Sequence, residues 1–286
     1  MKHRNLYNFR ETAMKIVFLI TACISILAVA LICIFLFANG IPTMQEIGFF
    51  KFLFGTTWAP NQNLYGIFPM IIASIIVTAG AIIIGVPAGL LCAIFLARFC
   101  PKRLYKILKP AAELLAGIPS IVYGFFGLVV IVPLMQSAVG VGKNIITASL
   151  MLGIMILPTI INVAEASIRA VPESYYEGSL ALGATHERSV FSATLPAAKS
   201  GILAGIILGV GRAIGETMAV VMIAGNQPLL PESLLSGVRT LTANIVLEMG
   251  YATDLHREAL IACGVVLFVF ILIINLCFSA LKRRSE

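Results

Sequence analysis

The sequence predicts an all-α, polytopic integral membrane protein with six transmembrane helices. Hydrophobic residues make up 59% of the 286 residues and charged residues only 12%, whereas soluble domains are about 45–50% apolar and about 25% charged. Six apolar runs along the chain are each long enough to cross a bilayer. This composition excludes a soluble enzyme, a disordered chain and a secreted disulfide scaffold.

The first apolar run covers residues 16–38 and follows a basic segment that contains Lys2, Arg4, Arg10 and Lys15. A basic segment before an apolar run is typical of a signal peptide. This run, however, exceeds the 7–15 residues of a signal-peptide core. We therefore expect an uncleaved first span.

Five further apolar runs predict the remaining spans. The second run is longer than a bilayer requires, so we expect it to tilt or to project from the membrane, with Pro87 as a bend. The five runs cover residues 67–97, about 117–135, about 145–166, about 201–224 and about 260–281.

Lysine and arginine are distributed unequally between the two sides of the membrane. With a cytoplasmic N-terminus, 15 of the 20 lie in inside tails and loops, 4 lie in outside loops, and Arg212 lies in a span. Cytoplasmic loops carry such an excess, so both termini are predicted to be cytoplasmic. The same excess explains the net charge of +7 without any binding of nucleic acid.

Several catalytic motifs are absent from the sequence. There is no P-loop and no H-E-x-x-H motif, the single aspartate is Asp254 in a predicted loop, and His3, His186 and His256 lie in tails or loops. We therefore expect no ATP binding through a P-loop, no metal site and no intramembrane protease chemistry. The six cysteines form no CxxC and are interpreted as packing residues.

The predicted cytoplasmic loop between spans four and five, about 169–200, carries a specific pattern. Glu177 is followed by the small residue Gly178, then by Gly183, and the pattern ends at Leu195-Pro196. Small residues allow a partner surface to approach closely, and Gly183 can end a helix in a left-handed conformation. The alternative is an ordinary solvated loop between two spans.

This pattern resembles the EAA loop of ABC importer permeases, which share a MetI-like transmembrane core. Gly178 and Ser179 replace the two alanines of the family motif, and Ala193 replaces its isoleucine. In the family, the loop forms a short helix that docks on an ATPase subunit. The resemblance therefore implies that Glu177, Gly178 and Gly183 couple the chain to an ATPase.

A second pattern places two ionisable residues inside the predicted fifth span. Arg212 and Glu216 are four residues apart, so a continuous helix would place them on one face. An arginine at the bilayer centre costs about 2.5–3.5 kcal/mol on insertion scales, so it is typical of a functional site. A guanidinium matches the geometry of an oxyanion such as phosphate. The alternative is a structural pair that joins two helices.

Three segments resemble the C-type permease subunits of phosphate-specific ABC importers. They are R-A-I-G-E-T-M-A-V at 212–220, G-I-P-S-I-V-Y-G-F at 117–125 and L-T-A-N-I-V-L-E-M-G at 241–250. The resemblance covers about residues 65–281. It implies that Arg212 and Glu216 lie on the phosphate pathway.

The same resemblance implies the partners and the location. The partners would be a companion A-type permease subunit, two ATPase subunits that hold ATP and magnesium, and an extracytoplasmic phosphate-binding protein. The chain itself would bind no cofactor and would lie among lipids in the inner membrane of a bacterial or archaeal cell. Residues 1–66 would form a tail, the first span and an outside loop, and residues 67–286 the permease core.

Other polar residues are weaker candidates. Ser74, Thr78, Tyr123 and Thr217 are candidate residues of the pathway lining, although Ser and Thr within a span more often bond to helix backbone or to a neighbouring helix. Glu165 is expected to form a structural pair with Arg169. Five further basic residues are interpreted as lipid-facing or topology-setting: Arg98, Lys102, Arg103, Lys106 and Lys109.

Together these patterns predict the permease subunit of an ABC importer for inorganic phosphate, energised by partner ATPases. One alternative is a permease for another oxyanion, such as molybdate or sulfate, because Arg212 alone does not distinguish these anions. The other alternative is an integral membrane enzyme, against which the absence of a nucleophile–base set in the spans argues.

Overall fold

The structure, a computed structural model, describes residues 2–283 and, within them, the side chains of residues 11–277 and 280. These residues form a helical protein with one small antiparallel hairpin. The hairpin strands are β1 (Trp58–Ala59) and β2 (Leu64–Tyr65). The helices are α1 (Lys2–Ile47), α2 (Phe49–Phe54), α3 (Phe68–Ile94), α4 (Lys102–Gly117), α5 (Ser120–Phe126), α6 (Val132–Val139), α7 (Ile145–Arg169), α8 (Glu173–Ala181), α9 (His186–Ser189), α10 (Leu195–Ala197), α11 (Lys199–Gly215), α12 (Met218–Ile223), α13 (Leu241–Glu248) and α14 (Asp254–Arg283).

Short segments of other helix types join some of these elements. A 3₁₀ turn at Pro60–Gln62 lies within the hairpin. Three π-helical turns continue α3, join α5 to α6 and join α9 to α10, at Phe95–Phe99, Gly127–Ile131 and Val190–Thr194. Such π turns occur frequently at functional sites.

The membrane-spanning elements agree with the predicted fold class. Within residues 2–283, five stretches are long and apolar enough to cross a bilayer by themselves: Glu11–Ile47, Phe68–Phe99, Ser120–Val139, Ile145–Arg169 and Asp254–Cys277. Two further helical stretches, His186–Ala197 and Lys199–Gly215, are bent by 72° at their junction and would form a sixth crossing if they act as one broken span. The predicted fifth span, 201–224, was therefore wrong in its limits, because α11 ends at Gly215.

Helices α3, α7 and α11 form the centre of the protein, and glycine allows them to approach closely. A Cβ atom at Gly85 of α3 would lie 2.8 Å from the Gly153 carbonyl oxygen of α7, and one at Gly209 of α11 would lie 2.8 Å from Ile160 of α7. Helices in membranes pack through such small residues. Helix α3 continues through Pro87 without a break.

Helix α1 touches the rest of the chain mainly towards its C-terminal end. Leu36 and Phe37 pack there among the residues of α14, and a Cβ atom at Gly40 would lie 2.5 Å from Val265. The side chains of residues 11–32 are exposed. Because this stretch is strongly apolar, lipid or protein must cover it in the membrane.

A polar cluster joins the hairpin to two helices. The Glu248 carboxylate, at the end of α13, accepts hydrogen bonds from Trp58 Nε1 at 2.8 Å and from Arg239 Nη1. His256 Nε2 lies 2.8 Å from the same carboxylate. The cluster therefore ties the hairpin to the end of α13 and the first turn of α14.

Candidate functional site

The predicted fifth span is interrupted at Glu216. The residue has extended backbone angles, φ −72° and ψ 131°, and it separates α11 from α12. Its Oε1 atom accepts a hydrogen bond of 3.1 Å from the Ala219 amide in the first turn of α12. The expectation that Arg212 and Glu216 share one helix face was therefore wrong, because the helix ends between them. The described side chains show no ion pair between these two residues.

Arg212 extends from the last turn of α11 towards the middle of α7. Its Nη1 atom donates a hydrogen bond of 3.2 Å to Thr159 Oγ1. Among the described side chains, no carboxylate pairs with this guanidinium. The guanidinium is therefore half-buried against α7, a candidate membrane span, with no carboxylate to neutralise its charge.

The face of α11 next to Arg212 is open. A Cβ atom at Gly211 or at Gly215 would meet no other atom within 4 Å. The nearby side chains of Leu208 and Met218 are 55% and 41% exposed. An ion or a second protein subunit can therefore reach the end of α11.

The start of α13 lies against the interruption at Glu216. Thr242 Oγ1 donates to the Glu216 carbonyl oxygen at 3.1 Å, and Ser74 Oγ accepts from the Leu241 amide at 3.0 Å. Ser74 also donates to the Met70 carbonyl at 2.8 Å, the bond within the helix that the alternative interpretation expects. Ser74 therefore joins α3 to α13.

The remaining candidate lining residues differ in their surroundings. Tyr123 is buried and its hydroxyl donates to the Leu115 carbonyl at 2.8 Å, which joins α5 to α4. Thr217 Oγ1 donates to the Gly215 carbonyl at 3.3 Å, within the interruption. Thr78 is buried in α3. Of these three residues, Thr217 lies in the interruption itself, whereas Tyr123 and Thr78 lie in other helices.

The loop at about 169–200, predicted to be cytoplasmic, folds as the glycine pattern predicts. Helix α8 contains Glu177 and Gly178, both exposed, and a Cβ atom at Gly178 would meet nothing within 4 Å. Gly183 follows the helix with φ +86°, and its amide donates to the Leu180 carbonyl at 2.8 Å. The predicted left-handed helix end at Gly183 is confirmed. The adjacent Leu182 is 90% exposed, so the loop presents an apolar side chain to a partner.

Two of the basic residues interpreted as lipid-facing or topology-setting have carboxylate partners, and their side chains are only 11% and 17% exposed, so neither faces lipid. Arg98 Nη1 lies 3.0 Å from a carboxylate oxygen of Glu173, and Lys109 Nζ lies 3.0 Å from one of Glu165. Glu165 also pairs with Arg169, as expected. Sequence reasoning missed the first two pairs because their partners lie far along the chain.

Within the side chains that the structure describes, no cluster of His, Cys, Asp and Glu could hold a metal ion.

Comparison with known proteins identifies the family. The family model described as "Binding-protein-dependent transport system inner membrane component" matches residues 85–286. The chain belongs to this family. It is 38% identical to the "Probable ABC transporter permease protein YqgH" of Bacillus subtilis, over 92% of this chain and 90% of the relative. It is 35% identical to the "Phosphate transport system permease protein PstC" of Mesorhizobium japonicum, over 85% and 81%.

Solved structures of this permease class share the fold. A chain of the inward-facing MetNI methionine ABC transporter aligns with a TM-score of 0.65 at 19% identity, covering 80% of this chain and all of that chain. A chain of the bacterial alginate ABC transporter aligns with a TM-score of 0.58 at 16% identity, covering 91% and 94%.

The comparisons confirm the main sequence predictions. The chain is a multi-pass permease of the inner membrane and not a membrane enzyme, because its relatives are ABC transporter permease subunits. The resemblance to C-type phosphate permeases is confirmed by several relatives that carry that name. Permeases of this class work with ATPase and substrate-binding partners.

Proposed function

We propose that this permease carries inorganic phosphate across the membrane past the guanidinium of Arg212. The observation that carries the proposal is that Arg212 is bonded to the neutral hydroxyl of Thr159, in a candidate membrane span, and lies beside an open face. An anion in a region of low dielectric constant needs a positive partner. A guanidinium donates parallel hydrogen bonds to phosphate oxygens.

Glu216 supports release of the anion. A binding site within a transport pathway must bind strongly enough for entry and weakly enough for exit. The Glu216 carboxylate, one residue beyond the end of α11, places a negative charge on the same pathway while it caps α12. Repulsion between this carboxylate and phosphate keeps Arg212 from trapping the anion.

The exposed surfaces of the chain indicate where each proposed partner would bind. The companion A-type subunit faces Gly211 and Gly215 across the pathway, which the heterodimer completes and which stays open at these two glycines. Two ATPase subunits, which hold ATP and magnesium, dock at α8 through Glu177 and Gly178, so this chain binds no cofactor of its own. A phosphate-binding protein delivers the anion at the outer end, near the hairpin of β1 and β2.

We also propose that both termini are cytoplasmic, on the basis of the basic residues in the tails and inside loops. In a variant without native cysteines, an impermeant thiol reagent should label Ser233→Cys in intact cells. It should label Lys106→Cys only after the cells are permeabilised. Both positions are exposed in the structure. The reverse pattern of labelling would exclude this orientation.

Uptake by the complete complex in liposomes tests the proposed substrate. With ATP inside the liposomes and binding protein outside, we expect radiolabelled phosphate to accumulate. Unlabelled sulfate or molybdate should compete with this uptake far less than the same concentration of unlabelled phosphate does, because specificity is a difference in affinity between the two anions. Accumulation of sulfate or molybdate, without phosphate, would instead establish the oxyanion alternative.

A further inference from the structure

The inner end of α3 contacts both helices at the start of the cytoplasmic loop. Two consecutive residues of the π turn Phe95–Phe99 make these contacts. Arg98 contacts α8, and Phe99 contacts α9. The loop proposed to receive the ATPase is therefore attached directly to one of the central spans.

The Arg98 contacts are specific. Its Nη1 atom lies 3.1 and 3.0 Å from the two carboxylate oxygens of Glu173, and its guanidinium lies 5.7 Å from the ring centre of Tyr176. The Arg98 side chain is only 11% exposed. A cation above an aromatic ring and beside a carboxylate is held by both. Arg98 therefore fixes the position of α8.

The Phe99 contacts extend the attachment to α9. The ring of Phe99 meets the ring of His186 edge to face, with 4.8 Å between their centres. His186 Nδ1 in turn lies 2.6 Å from the Tyr176 hydroxyl. Helices α8 and α9 are thus held to each other and to the end of α3.

The π turn is also connected to the candidate site through α7. Arg169 Nη2, at the inner end of α7, donates to the Leu96 carbonyl at 2.9 Å. Helices α3 and α7 pack closely at Gly85. Helix α7 carries Thr159, which holds Arg212. Contacts therefore run without a gap from α8 through α3 and α7 to Arg212.

We propose that Arg98 is the positioning residue for energy coupling. It holds α8 on the end of α3. Movement of a docked ATPase therefore shifts α3 and α7, and with them the residues that surround Arg212. This inference rests on the proposed docking of the ATPase at α8. Glu173 is 58% exposed and Arg98 only 11% exposed, so the pair lies at the edge between protein and solvent. Because the pair joins α8 to the end of α3, its role in this proposal is the alignment of α8.

The test measures movement and not transport, so it does not depend on the identity of the substrate. Gly215→Cys is introduced into the complete complex without native cysteines, and its labelling rate is compared with and without trapped ATP and vanadate. With Arg98 and Glu173 intact, we expect trapping to change the rate about fivefold or more, within the range of allosteric coupling. In Arg98→Gln or Glu173→Gln, the change should fall below about twofold, while the ATPase still co-purifies.

Two further variants complete the experiment. The double variant Arg98→Glu, Glu173→Arg should recover at least part of the labelling response, because it restores opposite charges. The control Arg103→Gln removes an exposed arginine of α4 that has no ion pair among the described side chains, and it should leave the response unchanged.

A full labelling response in both glutamine variants would overturn the role of Arg98. Loss of assembly in Arg98→Gln combined with a full response in Glu173→Gln would also overturn it, because Arg98 would then be merely structural. A failure of the proposed function is a separate result: the complex would take up no phosphate in liposomes while the labelling response remained.

Discussion

Arg212→Gln is expected to reduce phosphate uptake by roughly 10- to 100-fold or more, because hydrogen bonds to charged groups contribute about 1.5–3 kcal/mol. Arg212 has no carboxylate partner among the described side chains, so its removal leaves no buried negative charge without a partner. The variant should therefore insert and assemble normally. Uptake of radiolabelled phosphate, measured alongside membrane abundance, checks both statements.

Two companion variants sharpen this prediction. Arg212→Lys keeps the charge but loses the planar group that donates in parallel, so its uptake should also be poor. Arg257→Gln makes the same chemical change at an exposed position of α14 and should leave uptake unaffected. Normal uptake by Arg212→Gln at normal abundance would remove Arg212 from the pathway.

Gly183→Val is expected to separate the permease from its ATPase. Gly183 has φ +86°, and a side chain in such a conformation costs about 1–3 kcal/mol. No atom lies within 4 Å of the added Cβ, so the loop changes shape instead of meeting a clash. Energies of that size correspond to roughly a 5- to 150-fold loss of affinity. Co-purification of the ATPase from membranes should fall accordingly, while the chain still inserts.

Asparagine provides the matched control at this position. Asparagine adopts positive φ more readily than most residues, so Gly183→Asn should retain most ATPase binding. Gly178→Ala adds a methyl group to α8 in open space and should also be tolerated. Full ATPase binding by Gly183→Val would show that the loop geometry does not matter for docking.

The sequence predicted the features that depend on local composition. Apolar runs predicted the spans because each run must satisfy its backbone as a helix inside lipid. Gly183 predicted the end of α8 because a left-handed residue is a local requirement of the chain. Both features can be recognised without knowledge of distant residues.

The interruption at Glu216 was missed because hydropathy does not record backbone direction. Residues 201–224 remain mostly apolar through Met218, so the run indicated one continuous helix. The pair of glycines at Gly211 and Gly215 was the available signal, since glycine weakens a helix by about 1 kcal/mol relative to alanine. The interruption matters for function because it separates the Arg212 and Glu216 charges.

Contacts between residues that are far apart along the chain could not be predicted from the sequence either. Arg98 and Glu173 are 75 residues apart, and Trp58 and Glu248 are 190 apart. In both cases the packing of helices brings the partners together. A basic residue after a span is normally explained by topology alone, so nothing local indicated that Arg98 has a carboxylate partner.

Phosphate uptake by the charge-exchanged variant Arg212→Glu, Glu216→Arg tests most directly whether the Arg212 guanidinium serves the transported anion. It is measured at matched membrane abundance beside Arg212→Glu and Glu216→Arg alone. Because the two side chains do not pair in the structure, we expect the double variant to remain as inactive as Arg212→Glu. Recovery of uptake close to the unaltered permease would contradict this site, because it would show that the two charges act as a structural pair.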